Sequence, residues 1–394
     1  MFFLLLYMRL PMLLAFAIFA NAVFAQPAVF NKALERAEKE NKLVMVDFYT
    51  DWCYWCKVLD KKTFTDPVIK ERIKERFILI RLNAEKADGV DLAKRYGIHS
   101  YPICVFINPQ KQVVAMQPGY AEPAVYLKFL DTIWKQKLAG QTLGYSPAFS
   151  LTFPDFYEKM HHIVRNKIVW PKPAEFEQYM ENEKNWDTEV GFIVINKLYS
   201  KNYKKHLNRA ATYKKIWEKQ YGRVYSGQTF SYLLTTFIDS NLNIPTQAMY
   251  DTLMSYCMMA ENNDSVKAQK SCFGYMSSYL FKTGQWNAYA KWIDGDYREN
   301  RHEYANAGLN EAAWSIYENS RDTEALNIAL EWMKTVVATD DDYNHADTYA
   351  AILYALKRFD EAEIAAKEAI LLAKKSGEKY EETEKLLGKI YAER

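Results

Sequence analysis

The run Leu43-Val44-Met45-Val46-Asp47-Phe48-Tyr49 is β-branched and aromatic, and it leads through Thr50-Asp51-Trp52 into Cys53-Tyr54-Trp55-Cys56. Such a run predicts a central β-strand, and the mixed stretch Lys57–Lys62 predicts the surface of a helix. The chain is thereby committed to a strand–turn–helix unit with its first cysteine at the helix N-terminus. Unpaired backbone N–H groups and the positive end of the macrodipole stabilise a thiolate there, moving a pKa of ~8.5 toward ~7 or below. At neutral pH the reactive fraction rises to about half, equivalent to roughly 2 kcal/mol in favour of the charged form. The pattern points to thiol–disulfide exchange.

A Cys-x-x-Cys is also half of a zinc site, which needs two further ligands at ordered spacing. The remaining cysteines, Cys104, Cys257 and Cys272, are scattered, so no metal and no cofactor is expected. A soft-metal chaperone using the two thiolates alone is the remoter alternative. Asp47 interrupts an apolar strand, where an ionised carboxylate is costly to bury, and this argues for proton transfer rather than filler. Lys57, Asp51 and His99 read as solvated surface groups.

Residues from about Phe30 to Leu138 resemble the thioredoxin family. Asp47 lies six residues before Cys53, where the family keeps a buried acid that handles the second cysteine's proton. Arg81 matches a nearby basic position that is usually lysine. Tyr96-Gly97-Ile98-His99-Ser100-Tyr101-Pro102, followed by the strand Ile103–Ile107, is similar to the family's loop ending in a cis-proline, and Gly119 matches its glycine before the last helix. Within the family, the C-terminal domain of periplasmic thiol:disulfide interchange reductases is most similar. Its pattern is echoed by Asp47, Tyr49, Asp51, Trp52, Cys53, Cys56 and Lys57, then Thr63, Phe64, Asp66 and Pro67. The resemblance implies an α/β thioredoxin fold with Cys53, Cys56, Asp47 and Pro102 as catalytic residues. Trp52, Tyr54, Trp55 and Tyr101 flank them as candidate substrate-binding residues. Tyr54-Trp55 replaces the common Gly-Pro between the cysteines, which alters the relative stability of the two thiols.

Met8-Arg9, the apolar stretch Leu10–Phe19 and Ala20–Ala25 read as a signal peptide. Translation is expected to start at Met8, with cleavage after Ala25. No other run approaches the ~18 apolar residues of a membrane span, and Tyr391–Arg394 is not a lumenal retention signal. The expected location is a bacterial periplasm. A net charge of +2 gives no special attraction to nucleic acid or anionic lipid.

The expected domains are residues 26–139, thioredoxin-like; 140–154, a linker rich in Gly, Ser and Pro; and 155–394, all-α. From about residue 270 the pattern resembles tetratricopeptide repeats. Ala288, Ala325 and Ala362 each follow a turn and are spaced 37 apart, and Tyr349, Ala350, Leu353 and Ala369 extend the match. Lys374–Arg394 is expected to form a polar capping helix. Helices are predicted over Thr246–Ala260 and Ser265–Lys282, joined by Glu261–Asp264. In an antiparallel hairpin Cys257 and Cys272 fall about four residues, or ~6 Å, out of step. Added to ~8–10 Å between axes, the offset strains the ~7 Å Cα limit of a disulfide and argues against a bridge.

The sequence thus predicts an exported protein-disulfide reductase or isomerase. Its partners would be protein disulfide substrates and a membrane thiol carrier as electron donor, with the helical region binding protein or dimerising. The alternative is an assembly factor whose helical region is the working part.

Overall fold

The computed structural model describes residues 28–161, 169–198 and 200–394. The signal-peptide reading lies outside them. Two compact units emerge. One runs to Lys172 and takes in Asp187–Lys197 and Gln220–Val224; the other comprises Pro173–Trp186, Leu198–Lys219 and Tyr225–Arg394.

The first unit is built on a four-stranded mixed sheet of β1 (Leu43–Tyr49), β2 (Phe77–Asn83), β3 (Ile103–Ile107) and β4 (Val113–Pro118), in the order β2-β1-β3-β4. β1 pairs parallel with β2 and antiparallel with β3, with Asp47 opposite Arg81 on one side and Cys104 on the other. Every β1 residue from Leu43 to Phe48 is buried, as a central strand covered on both faces requires. One cover is formed by α3 (Pro67–Arg76) and α5 (Pro123–Leu138), which close over Leu43, Met45, Cys104 and Phe106 through Ile69, Ile73, Tyr126, Leu130 and Ile133. α1 (Ala28–Lys39) packs on β1 and β2, and α4 (Asp88–Arg95) packs on β2.

Capping explains the edges of α3. Asp66 accepts from the backbone N–H groups of Val68 and Ile69 at 2.9 and 3.0 Å, and Pro67 occupies the first turn, where no N–H is needed. α2 (Tyr54–Val58) is short and passes directly into a π-helical turn, Leu59–Thr63. The regular helix surface expected over Lys57–Lys62 is thus interrupted. The wide turn buries both Leu59 and Thr63, and Thr63 Oγ1 donates to the Ala121 carbonyl at 2.7 Å.

Residues 141–154 have no regular element, yet they pack within the first unit. Leu143 N–H donates to the Val113 carbonyl at 2.7 Å. Tyr145 is buried edge-on against Tyr96, Phe192 and Tyr221. Arg95, itself buried, donates to the carbonyls of Ser146 and Ala148 and pairs with Glu189 at 2.6 Å.

The rest of the chain is helical: α6 (Asp155–His161), α7 (Pro173–Glu181), α8 (Glu183–Trp186), α9 (Glu189–Lys197), α10 (Tyr203–Tyr221), α11 (Gln228–Asp239), α12 (Thr246–Ala260), α13 (Ser265–Lys282), α14 (Trp286–Asn300), α15 (Asn306–Asn319), α16 (Thr323–Val337), α17 (Tyr343–Ala355), α18 (Phe359–Ser376) and α19 (Glu381–Glu393). In the second unit Trp186 and Trp217 stack with centroids 5.4 Å apart. Their indole N–H groups donate to the carbonyls of Met180 and Trp186, so neither buried ring leaves a donor unpaired. Ala288, Ala325 and Ala362 each sit in the first turn of α14, α16 and α18, and the last two are fully buried. Small residues there let α15 and α16, and α17 and α18, approach closely. Lys374–Arg394 is not one capping helix. Gly377, at φ +78°, ends α18, and α19 begins anew with Thr383, Leu386 and Ile390 buried.

Candidate active site

β1 and α2 converge on the two cysteines. Cys53 is the N-cap of α2 and Cys56 lies within its first turn; the two are joined as a disulfide, with Cα atoms 5.3 Å apart. The Cys56 N–H donates to Cys53 Sγ at 3.0 Å. A backbone donor aimed at this sulfur would stabilise negative charge on it once the disulfide opens. The peptide bond Tyr101–Pro102 is cis, and the Pro102 carbonyl accepts from Gly119 N–H at 2.8 Å. Gly119 adopts φ +78°, a conformation that favours glycine.

Asp47 is buried on β1. Its Oδ2 accepts from Arg81 Nε at 2.8 Å, and Arg81 also pairs with Asp60 at 2.7 Å while lying over the Tyr49 ring. Burial pushes the Asp47 carboxyl above the ordinary aspartate range, against the pull of Arg81. Such a group can accept a proton where a solvated aspartate would stay ionised. Cys104 faces it from β3, with Sγ 3.8 Å from Asp47 Oδ1 and accepting from Tyr126 Oη at 3.2 Å. Burial, reinforced by the Asp47 charge, pushes the Cys104 thiol well up. Cys104 is therefore held protonated and is a poor nucleophile.

Around the disulfide the surface is aromatic. Cys53 and Cys56 are 4 % and 3 % exposed, whereas Trp52, Tyr54 and Trp55 are 66 %, 68 % and 53 % exposed. Trp52 meets Tyr101 edge-on at 5.9 Å and donates to the Glu85 carboxylate at 3.0 Å; Trp55 stacks on Tyr120 at 5.5 Å. Each exposed ring is thus partly fixed, presenting apolar area at low entropic cost.

Asp51 is exposed and bonded to Lys86 and Asn83, and Lys57 is exposed. His99 Nδ1 lies 2.7 Å from the Gly97 carbonyl. Sequence reasoning missed three contributors. Asp60 gives Arg81 a second carboxylate, Tyr120 stacks on Trp55, and Arg95 anchors the segment after the domain. Asp60 falls in the π-helical turn, so helical spacing does not point it toward Arg81, and aromatic composition around Tyr120 gives no partner.

Residues 30–134 match the thioredoxin-like domain family. The thiol:disulfide interchange protein DsbD of Pseudomonas fluorescens is 33% identical over 84 residues, and that of Salmonella typhimurium 37% over 83; each alignment covers 21% of this chain and 14% of the relative. The chain thus spans about a seventh of the length of these relatives. The oxidised C-terminal domain of DsbD from Neisseria meningitidis aligns at 25% identity over 27% of this chain and 93% of that one, with a TM-score of 0.24. With a strand-to-cysteine unit, a disulfide at a helix N-terminus and a buried acid on the central strand, residues 30–134 are a thioredoxin-like domain homologous to part of the thiol:disulfide interchange proteins.

Proposed function

We propose that this chain is an exported thiol–disulfide oxidoreductase that reduces or isomerises disulfides of periplasmic proteins through Cys53 and Cys56. The observation that carries the reading is the Cys53–Cys56 disulfide at the start of α2, ringed by exposed aromatic side chains. In the reducing direction the Cys53 thiolate attacks one sulfur of a substrate disulfide and expels the other as a thiolate. Cys56 loses its proton, with Asp47 assisting, and attacks Cys53 Sγ of the mixed disulfide. The substrate leaves with two thiols, and Cys53–Cys56 closes. Trp52, Tyr54, Trp55 and Tyr101 hold the substrate chain, with Pro102 beside them.

Likeness to interchange proteins favours the reducing direction. A periplasm is kept oxidising, so the pair needs a continuing electron supply, which we assign to a membrane-embedded thiol carrier. Among the described residues no helix is long and apolar enough to cross a membrane, so that carrier would be a separate protein or segment. We assign the TPR-like helical region to holding protein. What supports this is α18, where Ile364 and Leu371, seven residues apart, remain 70 % and 60 % exposed.

Trapping tests the reading. Cys56→Ser accumulates a covalent adduct with substrate proteins that dithiothreitol releases, and Cys53→Ser forms none. Adducts that persist in Cys53→Ser and disappear on replacing Cys104 would overturn the nucleophile.

A further inference from the structure

A second pair of cysteines lies elsewhere in the molecule. Cys257 on α12 and Cys272 on α13 are free, fully buried thiols on adjacent helices, near enough for each to shift the other's ionisation. The helices are antiparallel neighbours joined at Glu261–Asp264, with Asn262 and Asn263 both at positive φ. The axial offset that argues against a bridge, and with which the two free thiols agree, is narrowed by side-chain direction. Cα–Cβ bonds lean toward a helix's N-terminus, so Cys257 leans away from the turn and Cys272 toward it.

The surroundings hold this pair in place. Glu261 accepts from Lys214 at 2.5 Å and from Ser271 on α13 at 3.2 Å, and pairs with Lys215 at 2.9 Å. The turn of the hairpin is thereby anchored to α10 and to the helix carrying Cys272. The neighbouring thiol pushes Cys257 up and holds Cys272 below the ordinary thiol range, which favours Cys272 as the side that ionises first. Cys104 is the internal contrast: equally buried, it bonds to Tyr126 and Asp47.

We propose that Cys257 and Cys272 form a second redox site, a dithiol that closes to a disulfide tying α12 to α13. The oxidant is a low-molecular-weight disulfide. Cys272 thiolate attacks one of its sulfurs, breaking that S–S bond and releasing one small thiolate. Cys257 then loses its proton and attacks Cys272 Sγ of the mixed disulfide, releasing the second. Two electrons pass from the cysteines to the small disulfide, and the two cysteine protons end on two small thiols. Because both sulfurs are buried, exchange proceeds when the α12–α13 pair opens locally. The closed disulfide is shielded from reductant in the same way.

The test uses the full-length chain with Cys53–Cys56 closed, which leaves three free thiols. The protein is incubated with oxidised glutathione, both at ambient temperature and near its melting temperature, where the hairpin opens. Thiols are then labelled with a maleimide in denaturant and counted by mass, and non-reduced peptides are mapped. The expected result is a fall from three labels to one, on Cys104, with the Cys257 and Cys272 peptides linked. The melting transition should rise by about 5–10 °C, as expected for closing so short a loop. Three labels after both incubations would overturn the proposal. So would glutathione retained on either cysteine, or a link from either of them to any other residue.

Discussion

From Val44 to Phe48, β1 is flanked by a strand on both sides and every residue is buried, so a carboxylate at position 47 stands out against its neighbours. Along α12–α19 apolar residues recur at helical spacing and bury one another, and charged groups lie largely on exposed faces. The first region departs from what packing alone would choose; the second obeys it. Buried Asp47, exposed Trp52, Tyr54 and Trp55, and a π-helical turn after α2 each depart from what packing alone favours. A core of Leu330, Trp332, Leu353 and Ile390 makes no such departure. Chemistry was legible where local rules were broken, whereas the helical region disclosed mainly its architecture.

That contrast can be broken by substitution. The largest effect is expected from Cys53→Ser, which should take disulfide reduction to background while leaving the fold and the helical unit intact. Reduction that persists would move the active thiol to another cysteine. Next, Asp47→Asn should slow resolution of the mixed disulfide by about 10²-fold, with first attack changed far less. Stopped-flow kinetics of both steps checks this, and equal slowing would leave Asp47 a structural role.

In the other region the readout should reverse. Leu353→Ala should cost about 2–5 kcal/mol of unfolding free energy by denaturant titration, with the reduction rate of the folded protein unchanged. A matching loss of rate would show that the helical core supports the chemistry directly.

A smaller effect concerns pH. Asp47 works as a base only when ionised, and its folded-state pKa is raised by burial and lowered by Arg81. The acidic limb of the resolution rate should therefore lie above the ~3.9 of a solvated aspartate. Arg81→Met removes the lowering partner and should move the limb further up; a limb that moves down would remove Asp47 from the step. The smallest effect is expected from Trp55→Ala, a several-fold rise in KM for protein substrates with little change toward a small disulfide.

The sequence reading located β1, β3, α12 and α13 to the residue, because strand composition and the polar turn Glu261–Asp264 are local signals. It also brought Asp47, Cys53, Cys56 and Arg81 into one neighbourhood through resemblance. The π-helical turn was not legible, since Lys57–Thr63 has an ordinary helical composition and its geometry is set by packing under α5. Nor was Arg95, whose buried guanidinium is satisfied by carbonyls at 146 and 148 and by Glu189, 94 residues away. The reading against a Cys257–Cys272 bridge agrees with both being free thiols; how near the two side chains lie was not legible, because the axial offset was counted between Cα atoms, without the lean of the side chains.

The most direct test of the central claim is the reduction potential of Cys53–Cys56 in the full-length protein, set by equilibration in thiol–disulfide buffers and read by mass tagging. The account predicts a reversible two-electron transition at the reducing end of the exchange range, near about −270 mV. A pair that stays closed below about −300 mV would be a structural staple, and a value near about −120 mV would belong to an oxidant. Either result would contradict a reductase.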